Sequence, residues 1–329
     1  MASEGSSLEV VTKKRMQVFS GRSHPALARE VVEHLGMRLG EVDIHEFSNE
    51  ELYCRFGENV RGSDVFVIQT HCSPVNTNIF EQLVLIDALK RASAKRIIAV
   101  VPFYGYARQD RKAQSREPIT AKLMADMLTV AGADRMVSVD LHTGQIQGFF
   151  DVPVDHLTAL PQLIGWLREE LGDEEVVVAS PDAGGEHLAE KFRARLPNAS
   201  SALLAKTRTA HNVTKTLGVV GDVEGRTCLL VDDMIDTAGT ICGAADALVE
   251  RGAKRVLVCA THPLLSGPAC DRLAESCIER LVVTNTLPLP AHCNLEKLEV
   301  VSVAPLVAST MKAIFEDESV SELFDDDHI

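Results

Sequence analysis

The chain is short of basic charge, has no paired-cysteine motif and has no apolar run of membrane-spanning length. Each deficit excludes something. With 33 Lys and Arg against 47 Asp and Glu, the formal net charge is −14, which argues against broad binding to nucleic acid or to anionic membranes. An anionic substrate stays admissible, because a local cluster of Lys and Arg, or bound Mg²⁺, reverses the field inside one cleft. The eight cysteines, at Cys54, Cys72, Cys228, Cys242, Cys259, Cys270, Cys277 and Cys293, contain no C-x-x-C pair, so no zinc site is expected. Several stand in apolar contexts where a free thiol packs as a small hydrophobe, and a reducing cytoplasm is the expected compartment. No segment reaches the roughly 20 apolar residues of a transmembrane helix. Residues 1–12 are small and polar, lack a signal-peptide core and read as a loose tail.

What is present is a repeated grammar of short apolar runs followed by helical patterns. The runs lie at 16–20, 65–70, 96–103, 136–141, 176–180, 227–231, 255–261 and 281–286. This βα alternation predicts an α/β fold of mainly parallel sheets, with right-handed crossovers and ligand sites on the loops at the strands' carboxyl ends. At 329 residues the chain exceeds one ordinary core, and two Rossmann-like domains of about 150 residues each are expected, with a boundary near 151–156. Residues 304–315 read as an amphipathic helix, and the last residues form an acidic tail.

Chemistry-bearing residues gather at the predicted strand ends. The run 227–231 leads into the paired acids Asp232 and Asp233, then the turn Asp236, Thr237, Ala238, Gly239 and Thr240, then a helix predicted over 241–248. Backbone N–H groups at a helix start favour a phosphate. The two carboxylates can accept hydrogen bonds from vicinal ribose hydroxyls or help to hold a divalent cation. After 96–103, the segment Phe103, Tyr104, Gly105, Tyr106, Ala107, Arg108, Gln109, Asp110, Arg111 and Lys112 combines aromatic faces with cations, which suits a nucleoside triphosphate. His142, just past 136–141, has the chemistry of a Mg²⁺ or phosphate ligand, although a lone histidine is more often structural. Asp182, within Ser180-Pro181-Asp182-Ala183-Gly184-Gly185, can hold a metal or a ribose, and the glycines allow close backbone approach.

As an ordered set, residues 47–51, 106–110, 140–142, 145–150, 180–185, 231–240, 261–263 and 266–268 resemble the motifs of the ribose-phosphate diphosphokinases, or phosphoribosyl diphosphate synthetases. The resemblance runs from about Met16 to Phe324. It implies two phosphoribosyltransferase-type domains. The ATP side would span 13–158, the ribose 5-phosphate side 159–307, and a helix at about 308–325 would pack back on the first. It implies transfer of the β,γ-diphosphoryl group of ATP to the 1-hydroxyl of ribose 5-phosphate. Phe47, Asn49, Glu51, Arg108, Gln109 and His142 would bind ATP, and His142 and Asp182 would meet Mg²⁺. Asp232, Asp233, Asp236, Thr237, Ala238, Gly239 and Thr240 would hold ribose 5-phosphate. Lys206 and Arg208, in the position of the family's mobile catalytic loop, would join His142 as catalytic groups.

The resemblance also implies a homohexamer of the phosphate-activated class. Phosphate and ADP would be its allosteric ligands, bound near Arg61, Ser115, Arg116, Gln147, Ser319, Ser321 and Phe324. Nucleic acid and membranes are not expected partners.

The chain departs from the family's pattern in several places. Glu186 and His187 stand after Gly185, where the family usually carries a small or apolar residue and then basic ones. Thr207 replaces the usual middle arginine, and Asn59 stands where a serine is usual. Weaker phosphate binding is the expectation. Two readings stay open beside the main one: a noncatalytic regulatory homologue that associates with an active synthetase, and a type I phosphoribosyltransferase, which the arginine-rich loop and the His142 motif disfavour.

Overall fold

The computed structural model describes residues 14–207 and 216–321, with the backbone alone described at 183, 205–207, 216 and 217. Runs that are apolar on both faces form the central strands, because helices cover both sides of a parallel sheet. The chain begins β1 (Met16–Ser20), α1 (Pro25–His34), β2 (Val42–Glu46), β3 (Leu52–Phe56), β4 (Asp64–Ile68), α2 (Val75–Arg91) and β5 (Arg96–Val101). It continues α3 (Thr120–Ala131), β6 (Arg135–Val139) and β7 (Val154–Leu157). Strands β1, β4, β5, β6 and β7 make a five-stranded, wholly parallel sheet in that order. β2 and β3 pair antiparallel as a separate hairpin.

Helix α4 (Leu160–Leu171) leads to β8 (Val176–Ser180), α5 (Glu186–Arg195), β9 (Ala199–Thr207), β10 (Thr216–Val220) and β11 (Thr227–Ile235). Then come α6 (Gly239–Glu250), β12 (Arg255–Pro263), α7 (Ala269–Glu275), β13 (Arg280–Thr284), β14 (Leu298–Val301) and α8 (Ala304–Glu316). The second sheet has the order β10-β9-β8-β11-β12-β13-β14, with β10 antiparallel to β9 and the other pairings parallel. From β8 the chain moves outward to β9 and β10, then returns on the other side of β8 as β11. The winding therefore reverses between β8 and β11, and α5 and α6 pack into different core clusters, α5 through Ala189 and Phe192 and α6 through Ile241, Ala244 and Leu248. Two helices that diverge from neighbouring strand ends open a crevice there, which is the usual ligand position in such sheets.

One continuous core cluster joins the two sheets. It takes Val18, Phe66, Ile98 and Val137 from the first, Val178, Leu229 and Leu257 from the second, and Leu160, Leu163, Ile164, Leu167 and Leu171 from α4 between them. Helix α8 lies against α1, with Val307, Met311 and Ile314 in the same cluster as Leu27, Val31 and Val32. Asp317, just past α8, pairs with Lys14 at 2.6 Å and Arg96 at 3.0 Å, which ties that end of the helix to the first sheet.

The carboxyl ends of the two sheets are joined by buried and part-buried hydrogen bonds. Thr261 Oγ1 donates to Asp140 Oδ2 at 2.7 Å, and His262 Nε2 meets the Asp140 carbonyl at 3.0 Å. Thr70 Oγ1 donates to the Thr286 carbonyl at 2.7 Å, and His24 Nε2 lies 2.9 Å from the Asn285 carbonyl. Phe103, Met234 and Leu287 form a small apolar cluster beside these bonds.

The cysteines are not all free, which a reducing compartment would not lead one to expect. Cys270 and Cys293 are joined as a disulfide, with Cα atoms 5.4 Å apart, while Cys54, Cys72, Cys228, Cys242, Cys259 and Cys277 are free. Their spacing in sequence has no zinc-like or redox pattern, so only the approach of α7 to the loop before β14 reveals the pair. No helix among the described residues is long and apolar enough to cross a membrane.

Candidate active site

Strand β11 runs further than its apolar segment predicts. Parallel pairing with β12 continues through Asp232 opposite Ala260 and on to Ile235 opposite Pro263, so the paired acids lie within the strand and not after it. A regular strand holds Asp232 and Asp233 half-buried at the crevice, where a loop would leave them solvated. The following helix also starts earlier than predicted, at Gly239. Its N-cap, Ala238, takes the left-handed conformation at φ 60° and gives no side-chain cap. The first N–H groups of α6 thus carry no capping side chain, and they are the donors that suit a phosphate. An alanine held left-handed costs about 1–2 kcal/mol, a local strain typical of ligand-gripping turns. Thr237, Gly239 and Thr240 are exposed, so the turn is open to a ligand.

Residues from the first sheet reach this turn. Arg108, in a short 3-10 turn after β5, pairs with Asp236 at 2.8 Å. His142, after β6, places Nδ1 2.6 Å from Asp233 Oδ2. Thr143 Oγ1 donates to Asp110 Oδ2 at 2.8 Å and holds the Arg108 and His142 loops together. Asp140 takes φ 39° and accepts from the Ala159 N–H at 3.0 Å as well as from Thr261, which fixes the bend that carries His142. Gln109 accepts a hydrogen bond from Thr120 at 2.5 Å.

Electrostatics separates the two adjacent carboxyls. The Asp232 carboxyl is pushed up to about 8, first by burial and then by the charges of Asp233 and Asp182. Asp233 is shifted the other way: burial opposes its ionisation, but the hydrogen bond and charge of His142 hold its carboxyl below the usual range. His142 is in turn raised, chiefly by that bond. Neighbouring acids driven apart in this way mark a site that still wants positive charge.

Asp182 stands at the carboxyl end of β8, beside the winding reversal, and its Oδ1 accepts from the Gly184 N–H at 2.9 Å. It is exposed, and its charge adds to the repulsion felt by Asp232. Carboxylates with one imidazole suit a hard divalent cation. No group of three or more such side chains among the described residues is arranged to enclose one. One or two protein carboxylates completed by substrate phosphates and water is the usual Mg²⁺ arrangement, and Asp182 supplies one such carboxylate.

Other expected residues are not brought here. Phe47, Asn49 and Glu51 form the tip of the β2–β3 hairpin, where the Glu51 N–H donates to Asn49 Oδ1 at 3.4 Å and the Phe47 ring meets His45 and Tyr53. None of those contacts reaches Arg108, His142 or the carboxylates. Lys206 and Thr207 have strand backbone in β9, where a mobile loop was expected, and Lys206 pairs with Leu217. The Lys206 side chain and Arg208 lie outside the described residues. Sequence reasoning missed Arg272 of α7, whose Nη1 donates to the Thr237 carbonyl at 2.9 Å. Its only signal was a cation a few residues after the 266–268 motif.

Glu186, the departure beside this crevice, is exposed in the first turn of α5. A carboxylate there complements the helix dipole, so it has a local stabilising role. Glu186→Arg is therefore expected to cost about 0.5 kcal/mol of stability while adding positive charge near the crevice. The KM for the ribose 5-phosphate that the sequence resemblance implies should fall about threefold. Denaturant titration and initial rates check both signs, and an unchanged KM would dismiss Glu186 as a cause of weak phosphate binding.

Comparisons with known proteins identify the family. Residues 16–132 match a family model for the N-terminal domain of ribose phosphate pyrophosphokinase, and residues 182–325 match one for the phosphoribosyl synthetase-associated domain. The chain is 52% identical over 322 residues to a ribose-phosphate pyrophosphokinase of Streptomyces avermitilis, covering 97% of this chain and 99% of that one. It is 52% identical over 315 residues to the one from Clostridium perfringens, covering 95% and 98%. The crystal structure of phosphoribosylpyrophosphate synthetase from Mycobacterium smegmatis is similar with a TM-score of 0.88 and 51% identity, covering 92% of this chain and all of that one.

Proposed function

The chain belongs to the ribose-phosphate pyrophosphokinase family, and from that premise we propose how its residues divide the work of making 5-phosphoribosyl 1-diphosphate. The reaction transfers the β,γ-diphosphoryl group of ATP to the 1-hydroxyl of ribose 5-phosphate and releases AMP. The observation that carries the division is the meeting of two halves: Arg108 with Asp236 at 2.8 Å and His142 with Asp233 at 2.6 Å. Arg108, Gln109 and His142 take the ATP side. Asp232, Asp233 and Asp236 receive the ribose hydroxyls, while Thr237, Ala238, Gly239 and Thr240 cradle the 5-phosphate. Phe47, Asn49 and Glu51 belong to the ATP set by motif alone. The division of the chain near residue 158 into an ATP half and a sugar half follows the same lines.

The ribose 1-oxygen attacks the β-phosphorus, the bond from that phosphorus to the α,β-bridging oxygen breaks, and AMP leaves with the electron pair as the hydroxyl proton is lost. Little covalent chemistry is asked of the protein, so alignment and charge supply the rate. Lys206 and Arg208 are the cations assigned to the migrating phosphoryl oxygens, together with His142. His142 and Asp182 would hold Mg²⁺, which when bound neutralises phosphoryl charge. Holding His142 by Asp233 through Nδ1 leaves Nε2 for that ion or a phosphate.

A homohexamer regulated by phosphate and ADP is proposed on motif grounds, at Arg61, Ser115, Arg116, Gln147, Ser319 and Ser321, with Phe324 outside the described residues. The cytoplasm as compartment rests on the six free cysteines and the soluble substrates, with the Cys270–Cys293 disulfide as the one feature that points the other way. Full-length similarity to pyrophosphokinases favours synthesis over both alternatives. Purified protein given ATP, Mg²⁺ and ribose 5-phosphate should release AMP, and omission of the sugar should stop it. Release only on adding a second protein would install the noncatalytic reading; consumption of 5-phosphoribosyl 1-diphosphate with a base would install the transferase reading.

A further inference from the structure

We propose that Arg272 of α7 is a positioning residue for the sugar-phosphate turn, holding Thr237 in place and adding positive charge beside the 5-phosphate subsite. Its Nη1 donates to the Thr237 carbonyl at 2.9 Å. The same nitrogen lies 3.3 Å from where a Cβ on Gly239 would stand, so the glycine leaves room for the guanidinium. Carbonyls in this turn are tied back one by one: Asp236 accepts from the Ser266 N–H at 2.9 Å, and Thr237 accepts from Arg272. Turning those oxygens away leaves N–H groups to face an anion.

Arg272 is itself well held. Its N–H donates to the Pro268 carbonyl at 3.0 Å, and its own carbonyl lies 3.7 Å from Cys242 Sγ of α6. Ala269, Cys270 and Leu273 bury one side of α7 in the same cluster as α6, and the disulfide fixes Cys270 to Cys293. Yet the side chain is exposed and has no carboxylate partner among the described residues. Of its five N–H donors, one hydrogen bond to Thr237 is accounted for. A guanidinium that keeps spare donors beside an uncapped helix start fits a phosphate.

This inference rests on the reading of the turn as the ribose 5-phosphate cradle. Steady-state kinetics of Arg272→Ala, Arg272→Gln, Arg272→Lys and Thr240→Ala separate the two. Arg272→Ala should raise the KM for ribose 5-phosphate about tenfold, with a smaller fall in kcat and a KM for ATP within about twofold of the parent. Lysine, which keeps charge and a donor, should restore more than glutamine, which keeps a donor alone. A KM for ribose 5-phosphate that stays put, or one that rises only in step with that for ATP, overturns the proposal. If Arg272→Ala fails to fold, the Gln and Lys variants decide by the same criterion. Thr240→Ala distinguishes the premise: should it also leave ribose 5-phosphate unaffected, the cradle reading falls; should it respond while Arg272 does not, only the role of Arg272 falls.

Discussion

Lys206→Ala and Arg208→Ala are each expected to lower kcat about 10³-fold while the dissociation constant for ATP stays within about threefold. The reason is where charge appears. As the β-phosphorus passes from AMP to the ribose oxygen, negative charge gathers on phosphoryl oxygens that are already charged in bound ATP but less exposed to a second cation. An interaction that strengthens only at that moment lowers the barrier without tightening ground-state binding. Loss of either cation should therefore appear in kcat and kcat/KM alike. Arg208→Lys should recover part of the rate, because charge returns without the planar fork. Equilibrium binding of ATP together with single-turnover AMP release makes the test, and a kcat within about threefold of the parent in both alanine variants would remove these residues from the chemistry.

The second large effect has opposite signs for activity and stability. Asp232→Asn should lower kcat/KM for ribose 5-phosphate about 10²-fold, since a site built to bond sugar hydroxyls loses a carboxyl that can ionise when Mg²⁺ and substrate bind. The same change should raise the melting temperature at pH 8 in the absence of Mg²⁺, by roughly 4 °C. In the folded protein the Asp232 carboxyl is pushed up from the ordinary carboxylate range to about 8, first by burial and then by Asp233. A carboxyl raised on folding contributes stability that is present below about pH 4 and is lost as pH rises toward 8. Asparagine does not ionise, and its oxygen can still accept from the Asp233 N–H, a bond of 2.9 Å in the parent. The gain should therefore shrink toward pH 4 and shrink again when Mg²⁺ neutralises the parent. Melting curves at the two pH values, with and without Mg²⁺, read this directly, and a variant less stable at pH 8 would contradict the like-charge account.

Both predictions concern residues named from sequence, but their surroundings were legible to different degrees. The central strands β4, β5, β6, β8, β11, β12 and β13 were readable because strands buried on both faces appear as unbroken apolar runs, and the edge strand β1 was readable from a shorter apolar pattern. The β2–β3 hairpin was not, since its residues are half exposed and carry no such run. β7, β9, β10 and β14 escaped for a similar reason: β7, β10 and β14 are sheet edges and β9 lies next to one, and only pairing defines them. The extension of β11 through Ile235 was also unreadable, because Asp232 and Asp233 break the apolar pattern while β12 keeps them in register.

By itself the sequence determined the α/β class, the ordered motifs of the family and the residue types at each strand end. Those are local properties: a few neighbouring residues specify a strand, a turn or a helix start, whatever lies elsewhere. Only the tertiary structure decided which charges meet. His142 and Asp233 are 91 residues apart and Arg272 and Thr237 are 35 apart, and no spacing rule joins them. They meet because the carboxyl ends of two sheets are bonded face to face through Asp140, Thr261 and His262, and because α7 is pinned beside the turn. Burial then converts that proximity into function, since charges drawn out of water act on one another strongly enough to part the affinities of two adjacent aspartates for a proton.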